Sequence, residues 1–161
     1  KHMHLVKYKK CYEKNINDYQ LQEDQLYFPK TPSYHINQSC QDENCHCILG
    51  FDAHDQLVTF FVLDRNSDYL EHFATNPQNT VFFRSFSTDM RYLRKGYAKS
   101  CIKSLNHYIK NNFSDIHYIA LVVNETNEVS YNIYKCLGFH KTGQTITTYG
   151  VKQYLMQKEI H

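Results

Sequence analysis

The sequence predicts an α/β domain of about seven strands and about four helices, and three observations carry that expectation. Two β-type apolar runs, Val81 to Ser87 and Tyr118 to Val123, are each followed by a segment with helical periodicity. Two pairs of short runs, Cys45 to Phe51 with Leu57 to Leu63 and Gln144 to Thr148 with Gln153 to Lys158, are each joined by turn-type residues and read as hairpins. The chain of 161 residues has the length of one domain and can bury a core, for which 14 Tyr and 10 Phe supply much of the bulk.

Along the chain, Lys1-His2-Met3 is set aside as a leftover of recombinant expression, and one domain is expected over residues 4 to 161. Leu5 to Lys9 alternates as a first strand does, and Asn15 to Gln41, broken by Pro29 and Pro32, suggests two short helices. The first hairpin turns through Asp52-Ala53-His54-Asp55. Asp64 to Asn79 is polar and turn-rich with one short helix, before the strand at Val81. From Gly96 onward Ala98, Cys101, Ile102, Leu105 and Ile109 recur at helical spacing, with Lys99, Lys103, Asn106 and Lys110 on the other side. Asn127 to Phe139 reads as a short helix capped by Asn127, closed by Gly138, with Val129, Ile133 and Leu137 as its apolar stripe. The final hairpin turns at Tyr149-Gly150.

The junction Leu93-Arg94-Lys95-Gly96-Tyr97-Ala98 is the first candidate site. A strand ends before it and a helix begins at it, so backbone N–H groups without partners and the positive end of the helix dipole meet there. Gly96 lets the main chain come close to an anion, and Arg94 and Lys95 add full positive charges. An ordinary strand-to-helix turn explains that junction as well, and Asn127 alone is no more than a helix cap.

Taken together, the two elements resemble those of the GNAT superfamily of acetyl-coenzyme A-dependent N-acetyltransferases. That family carries a Gln/Arg-x-x-Gly-x-Gly/Ala loop followed by an Asn-x-x-Ala-x-x-x-Tyr-x-x-x-Gly-Phe helix. The loop matches at Leu93 to Ala98 with Leu93 in place of Gln or Arg, and the helix at Asn127, Tyr134, Gly138 and Phe139 with Ser130 in place of Ala. The resemblance covers residues 80 to 160 by motif and the first half by element order. It implies a GNAT-like fold, with a mixed, mostly antiparallel sheet. It implies that backbone groups of Phe86, Ser87 and Thr88, the loop Arg94, Lys95, Gly96, Tyr97, Ala98 and Lys99, and Asn127 hold acetyl-coenzyme A as co-substrate. It also places Tyr134 where a phenol protonates the departing coenzyme A sulfur, a role the motif favours over the helix-face aromatic packed on the sheet that would otherwise be the plainer reading of a tyrosine in this chain.

Amide formation from a thioester needs a neutral amine, a donor for the oxyanion and a proton for the thiolate. Glu71, His72, His117 and Glu125 are candidates for the base by residue type only, and none has a motif behind it. The acceptor is expected to be a primary amine of a small molecule. By resemblance, Tyr27, Phe28, Tyr34, Tyr69, Phe73 and Tyr149 are candidate lining residues, with Asp68 and Glu71 as a negative edge; ring faces accept cations, but core or dimer contacts are the commoner fate of such residues. A homodimer is therefore left open. Two rival readings stand beside this one: a protein lysine or N-terminal acetyltransferase, and a non-catalytic acyl-coenzyme A sensor.

The formal charge of +2, with mixed signs and no basic stripe, argues against a nucleic-acid partner. No apolar run is long enough to cross a bilayer and no charged leader opens the chain, so no membrane partner is expected and the location is expected to be cytoplasmic. Cys40, Cys45, His46 and Cys47 lack the second spaced pair of a structural zinc site, so no metal is expected. On a strand Cys45 and Cys47 face the side of Leu49 as small core residues, and Cys11, Cys101 and Cys136 read as reduced, buried thiols.

Overall fold

The computed structural model describes residues 3–22 and 30–161; Lys1, His2, Tyr27, Phe28 and Pro29 lie outside them. The described residues form β1 (His4–Lys7), α1 (Glu13–Asp18), α2 (Pro32–Ser39), β2 (Cys45–Phe51), β3 (Leu57–Asp64), β4 (Thr80–Thr88), α3 (Tyr97–Asn112), β5 (Tyr118–Asn124), α4 (Glu128–Cys136), β6 (His140–Thr148) and β7 (Val151–Glu159). This is the element order the sequence predicts. Pro32 starts α2 rather than interrupting it: its fixed φ suits the first helical position, and the Thr31 hydroxyl accepts from the Tyr34 N–H at 3.2 Å. Between Asp64 and Asn79 two 3-10 turns, Asp68–His72 and Pro77–Asn79, replace the single short helix expected there.

The strands make one sheet in the order β1-β2-β3-β4-β5-β7-β6, antiparallel throughout except where β4 runs parallel to β5. The near-continuous apolar run of β3 follows from its place in the middle, since every one of its residues is buried. Its alternate side chains divide the core. Phe61 and Leu63 pack with Cys101, Ile102, Leu105 and Ile109 of α3 and Tyr134 of α4 on one face. Phe60 and Val62 pack with Ile16 of α1 and Ile36 of α2 on the other. Each such phenylalanine or leucine, removed from water completely, contributes about 1.5–3 kcal/mol, which is what holds both helix pairs to the sheet.

Gly50 permits a close approach in this core. It lies opposite Thr59, and a methyl group on it would stand 2.0 Å from the Thr59 Oγ1. That hydroxyl in turn donates to the buried Cys101 Sγ at 3.4 Å, tying β3 to α3.

Two expectations are corrected by the packing, and the open choice at Phe73 between cleft lining and core falls to the core. Val129 is 73 % exposed, and α4 instead turns Tyr134, Ile133 and Leu137 toward the sheet. Nine residues make only two and a half turns, so the sequence stripe left the buried side undecided. Cys11 and Cys136 are exposed rather than buried, whereas Cys101 is fully buried. Phe73 belongs to a core cluster with Leu70 and Phe82, because the 3-10 turn before it folds back onto β4. Cys47 is buried beside Leu49, and burial pushes the half-buried Cys45 thiol up to about 12.

Candidate active site

β4 and β5 are paired only at Thr80–Tyr118, Val81–Ile119 and Phe82–Ala120, and beyond those pairs they separate. On the β3 side, Val62 pairs with Arg84 and Phe60 with Ser87, so Ser85 and Phe86 together oppose Phe61 and form a bulge. Ser85 sits at φ 59°, a left-handed conformation that costs a non-glycine residue energy and re-aims the strand. The result is a cleft of about 470 Å³ in the middle of the sheet. Phe83 to Phe86 form one wall and Leu121 to Asn124 the other, with Asn127, Ser130 and Tyr134 from α4 and Thr148, Tyr149 and Gln153 from the last hairpin closing it.

Tyr134 is buried between Phe83 (centroids 6.2 Å apart) and Phe139 (5.7 Å), both edge-on, and its hydroxyl makes no hydrogen bond among the described residues. Burial, with the Cys101 thiol a lesser cause, holds its phenol above the usual tyrosine range. The ring is thus fixed by packing while its neutral O–H is free to donate into the cleft. Asn127 is the cap of α4, accepting from the Ser130 N–H at 3.2 Å, and lines the same cleft. Opposite, Thr148 donates to the Gln153 Oε1 at 3.2 Å and the Gln153 Nε2 to the Asn124 Oδ1 at 2.9 Å, a polar row along the wall.

Of the strand residues named from sequence, Phe86 lines the cleft, while Ser87 and Thr88 are buried against β3 and the Ser87 hydroxyl shares a 2.8 Å hydrogen bond with the Tyr19 hydroxyl. The separation of β4 from β5 also exposes backbone of Phe83, Arg84 and Ser85, which the sequence did not single out. The bulge that brings them there arises from pairing with β3 and has no local signal.

Past β4, Arg94 at φ 61° and Gly96 at φ 82° bend the chain into α3, and Ser100 closes the first turn by donating to the Gly96 carbonyl at 3.1 Å. The amides that follow Gly96 are the orphan donors of a 16-residue helix. A methyl group on Gly96 would meet nothing within 4 Å, so the glycine serves the backbone angle and not a crowded space. Arg94, Lys95 and Lys99 are exposed, and Tyr97 and Ala98 half-buried. The Tyr97 hydroxyl reaches the Asp52 Oδ2 at 3.5 Å, linking the first turn of α3 to the β2–β3 turn.

A second tie was not read from sequence. The fully buried Asp89 carboxylate accepts from the Gln20 N–H at 2.9 Å, the Arg91 N–H at 2.9 Å and the Arg91 Nη2 at 2.8 Å. Arg91 also donates to the Asp18 carbonyl at 3.0 Å, and the Met90 N–H to the Gln20 carbonyl at 2.7 Å. Burial by itself would raise the Asp89 carboxyl, but the Arg91 and Gln20 donors outweigh it and hold the carboxyl below its usual range. The chain leaving α1 is thereby fastened to the turn that joins β4 to the Arg94–Lys99 loop. Its sequence signal, a buried Asp with an Arg two residues on, is too common to have found it.

None of the four base candidates lines the cleft. Glu71 and His72 pair with each other at 3.8 Å, Glu125 pairs with Lys152 at 4.0 Å, and His117 precedes β5 at the closed end of the strands. Among the lining candidates, Tyr69, stacked on Phe82 at 5.0 Å, and the exposed Tyr149 reach the cleft, whereas Tyr34 lies on α2 outside it and Tyr27 and Phe28 fall outside the described residues. Asp68 and Glu71 are exposed. Among the described residues no group of three or more His, Cys, Asp or Glu gathers as a metal site, and no helix is long and apolar enough to cross a membrane.

A sheet that opens between two parallel strands, with a glycine-started helix after one and a capped, tyrosine-bearing helix after the other, is the architecture of a GNAT-type acetyltransferase. The model described as the Acetyltransferase (GNAT) family matches residues 9–139, and the chain belongs to that family. No curated protein gives a significant sequence match. Among solved structures, the chain is similar to a spermidine N-acetyltransferase from Vibrio cholerae in complex with CoA and spermine, with a TM-score of 0.74, 14% identity, and coverage of 98% of this chain and 95% of that one. It is also similar to AAC(6')-Ib in complex with paromomycin and acetyl-CoA, with a TM-score of 0.77, 13% identity, and coverage of 99% and 94%.

Proposed function

We propose that this protein transfers the acetyl group of acetyl-coenzyme A directly to a primary amine of a small molecule while both substrates are bound. The observation that carries the reading is the opening of the sheet between β4 and β5 beside Tyr134. Acetyl-coenzyme A supplies an activated thioester. The unpaired backbone of Phe83 to Phe86, with Ser87 and Thr88 behind it, suits the extended amide-bearing arm. The loop Arg94, Lys95, Gly96, Tyr97, Ala98 and Lys99 suits the pyrophosphate through free amides and side-chain charge, and Asn127 suits the arm from the far wall.

In this reading the neutral amine attacks the thioester carbon, a C–N bond forms, and the C–S bond breaks. Free N–H groups of β4 meet the developing oxyanion. The Tyr134 O–H gives its proton to the leaving sulfur. A phenol held above ~10 transfers to a thiolate whose conjugate acid lies near ~8.5 only in concert with C–S cleavage, so Tyr134 acts within that step and not before it. With the four candidate bases outside the cleft, water against the Asn124–Gln153–Thr148 row is the route by which the amine loses its proton.

Arg84 stands half-buried on the cleft wall with its guanidinium engaged by the Asp64 Oδ2 at 3.3 Å and the Ser85 Oγ at 3.3 Å, so its charge does not choose among amine acceptors, to which Tyr69 and Tyr149 offer aromatic walls. The similar folds belong to proteins named for spermidine and for an aminoglycoside site, which supports an amine acceptor without choosing among amines.

The test is the unfolding midpoint with and without saturating acetyl-coenzyme A, followed by coenzyme A release with amino-acid-type and polyamine acceptors. A rise in Tm and turnover with an amine are expected. Tyr134→Phe should keep the Tm rise and lose about 10- to 1000-fold in kcat. No Tm shift removes the co-substrate, no turnover leaves a sensor domain, and an unchanged kcat in Tyr134→Phe removes the phenol from the proton path.

A further inference from the structure

On the far side of α3 from the cleft wall formed by α4, a groove of about 1060 Å³ runs between α3 and the outer edge of β1. We propose that this groove docks an extended acidic peptide segment of a partner protein, which adds as a further strand to β1. The inference does not depend on acetyl transfer, but the groove shares Gly96 and Lys99 with the loop proposed for the pyrophosphate, so coenzyme A is a competitor the test must separate.

Charge supplies the first argument. The groove is lined by His4, Lys7, Lys9, Lys99, Lys103 and His107, and none of its 16 lining residues is Asp or Glu, although the chain as a whole carries 16 acidic residues against 18 Lys and Arg. Among the described residues none of the four lysines takes part in an ion pair. Lys99 and Lys103 follow one another at four-residue spacing, so a single face of α3 presents two like charges one turn apart, a mildly unfavourable arrangement that an anion lying against it relieves.

Backbone geometry supplies the second. β1 is the end strand of the sheet. A groove over one face of a strand meets alternate residues, but His4, Leu5, Val6 and Lys7 line this one in succession, which places it along the strand's edge. The Tyr8 N–H donates to the Cys47 carbonyl at 2.8 Å, toward β2, so by alternation the amides of Leu5 and Lys7 point outward into the groove. A row of donors and acceptors with no strand partner among the described residues, flanked by lysines, fits an extended chain with acidic side chains: main-chain hydrogen bonds supply affinity and the lysines supply selection. A duplex or a folded nucleic acid would meet the lysines without using those amides.

The experiment titrates the protein with a fluorescein-labelled peptide of alternating valine and glutamate and follows amide hydrogen exchange by NMR. Saturable binding that weakens with salt, slower exchange at Leu5 and Lys7, and a loss of at least about tenfold in affinity for the double variant Lys7→Glu/Lys103→Glu are expected. Unaltered Tm of that variant shows that it folds. Four results overturn the proposal: no binding; equal binding of a single-stranded oligonucleotide of the same charge; displacement of the peptide by coenzyme A, which would assign the groove to the co-substrate; or binding without protection of the two amides.

Discussion

At Gly50 the missing side chain makes room, and at Gly96 it frees an angle. A methyl at Gly50 would collide with the Thr59 Oγ1 inside the sheet, whereas one at Gly96 meets open space at φ 82°. Gly50→Ala must therefore push β2 from β3 or break the Thr59–Cys101 contact, at about 2–4 kcal/mol of stability. Gly96→Ala has only the left-handed penalty of about 1–2 kcal/mol, but that strain falls on the amides at the start of α3. Urea unfolding and acetyl-coenzyme A titration separate the two: Gly50→Ala should lose most stability, and Gly96→Ala most affinity per unit of stability lost. If the two glycines gave the same ratio of lost affinity to lost stability, the loop at Gly96 would have no special bearing on the co-substrate.

Between elements, the Asp89 clamp joins three things that the mechanism needs in register: the end of β4, the chain leaving α1 and the approach to the Arg94–Lys99 loop. Asp89→Asn removes the charge that Arg91 answers and leaves the guanidinium partly unpaired, with an expected loss of about 2–4 kcal/mol. Asp18→Asn, on the exposed side of the same arginine, should lose less than about 1 kcal/mol. Because the folded carboxyl lies below its unfolded value, the stabilisation from Asp89 is present above the unfolded pKa near ~3.9 and disappears as pH falls through the folded one. The Tm gap between the native chain and Asp89→Asn should thus be full at pH 6 and close in strong acid; a gap that persists there would mean that Asp89 acts by shape alone. The elements that this clamp joins were legible in the sequence. Ile102, Leu105 and Ile109 repeat often enough to fix the buried side of α3, and the hairpins announce themselves by their turns. The clamp, the Ser85 bulge and the buried side of α4 were not legible, because each is decided by contacts between residues far apart in sequence or by a helix too short to show its period.

For the molecule as a whole, acid stability is divided by burial into separable ranges. His35 lies on α2 against Phe60, its Nε2 without a hydrogen-bond partner among the described residues, and burial first, then Arg84 and Lys30, push it down to about 4. His46 on β2 is also lowered, by burial and then Lys7 and Arg65. Both are neutral in the folded chain at a pH where the unfolded chain already binds the proton, so the unfolded state takes up more protons and stability falls as pH drops from about 6.5 toward 4. The lowered Asp89 and Asp115 carboxyls act below that range, and the raised Cys45, Cys101 and Tyr19 groups above neutrality, so the mid-acid window belongs to the imidazoles. Full protonation of His35 in the unfolded state alone bounds its share at about 3 kcal/mol. Urea unfolding of the native chain at pH 7.5 and 4.5 should show a larger loss than His35→Gln, which has no proton to gain at that position and should match the native chain to within about 1 kcal/mol at pH 7.5. Identical losses in the two proteins would move the acid sensitivity away from His35 and α2.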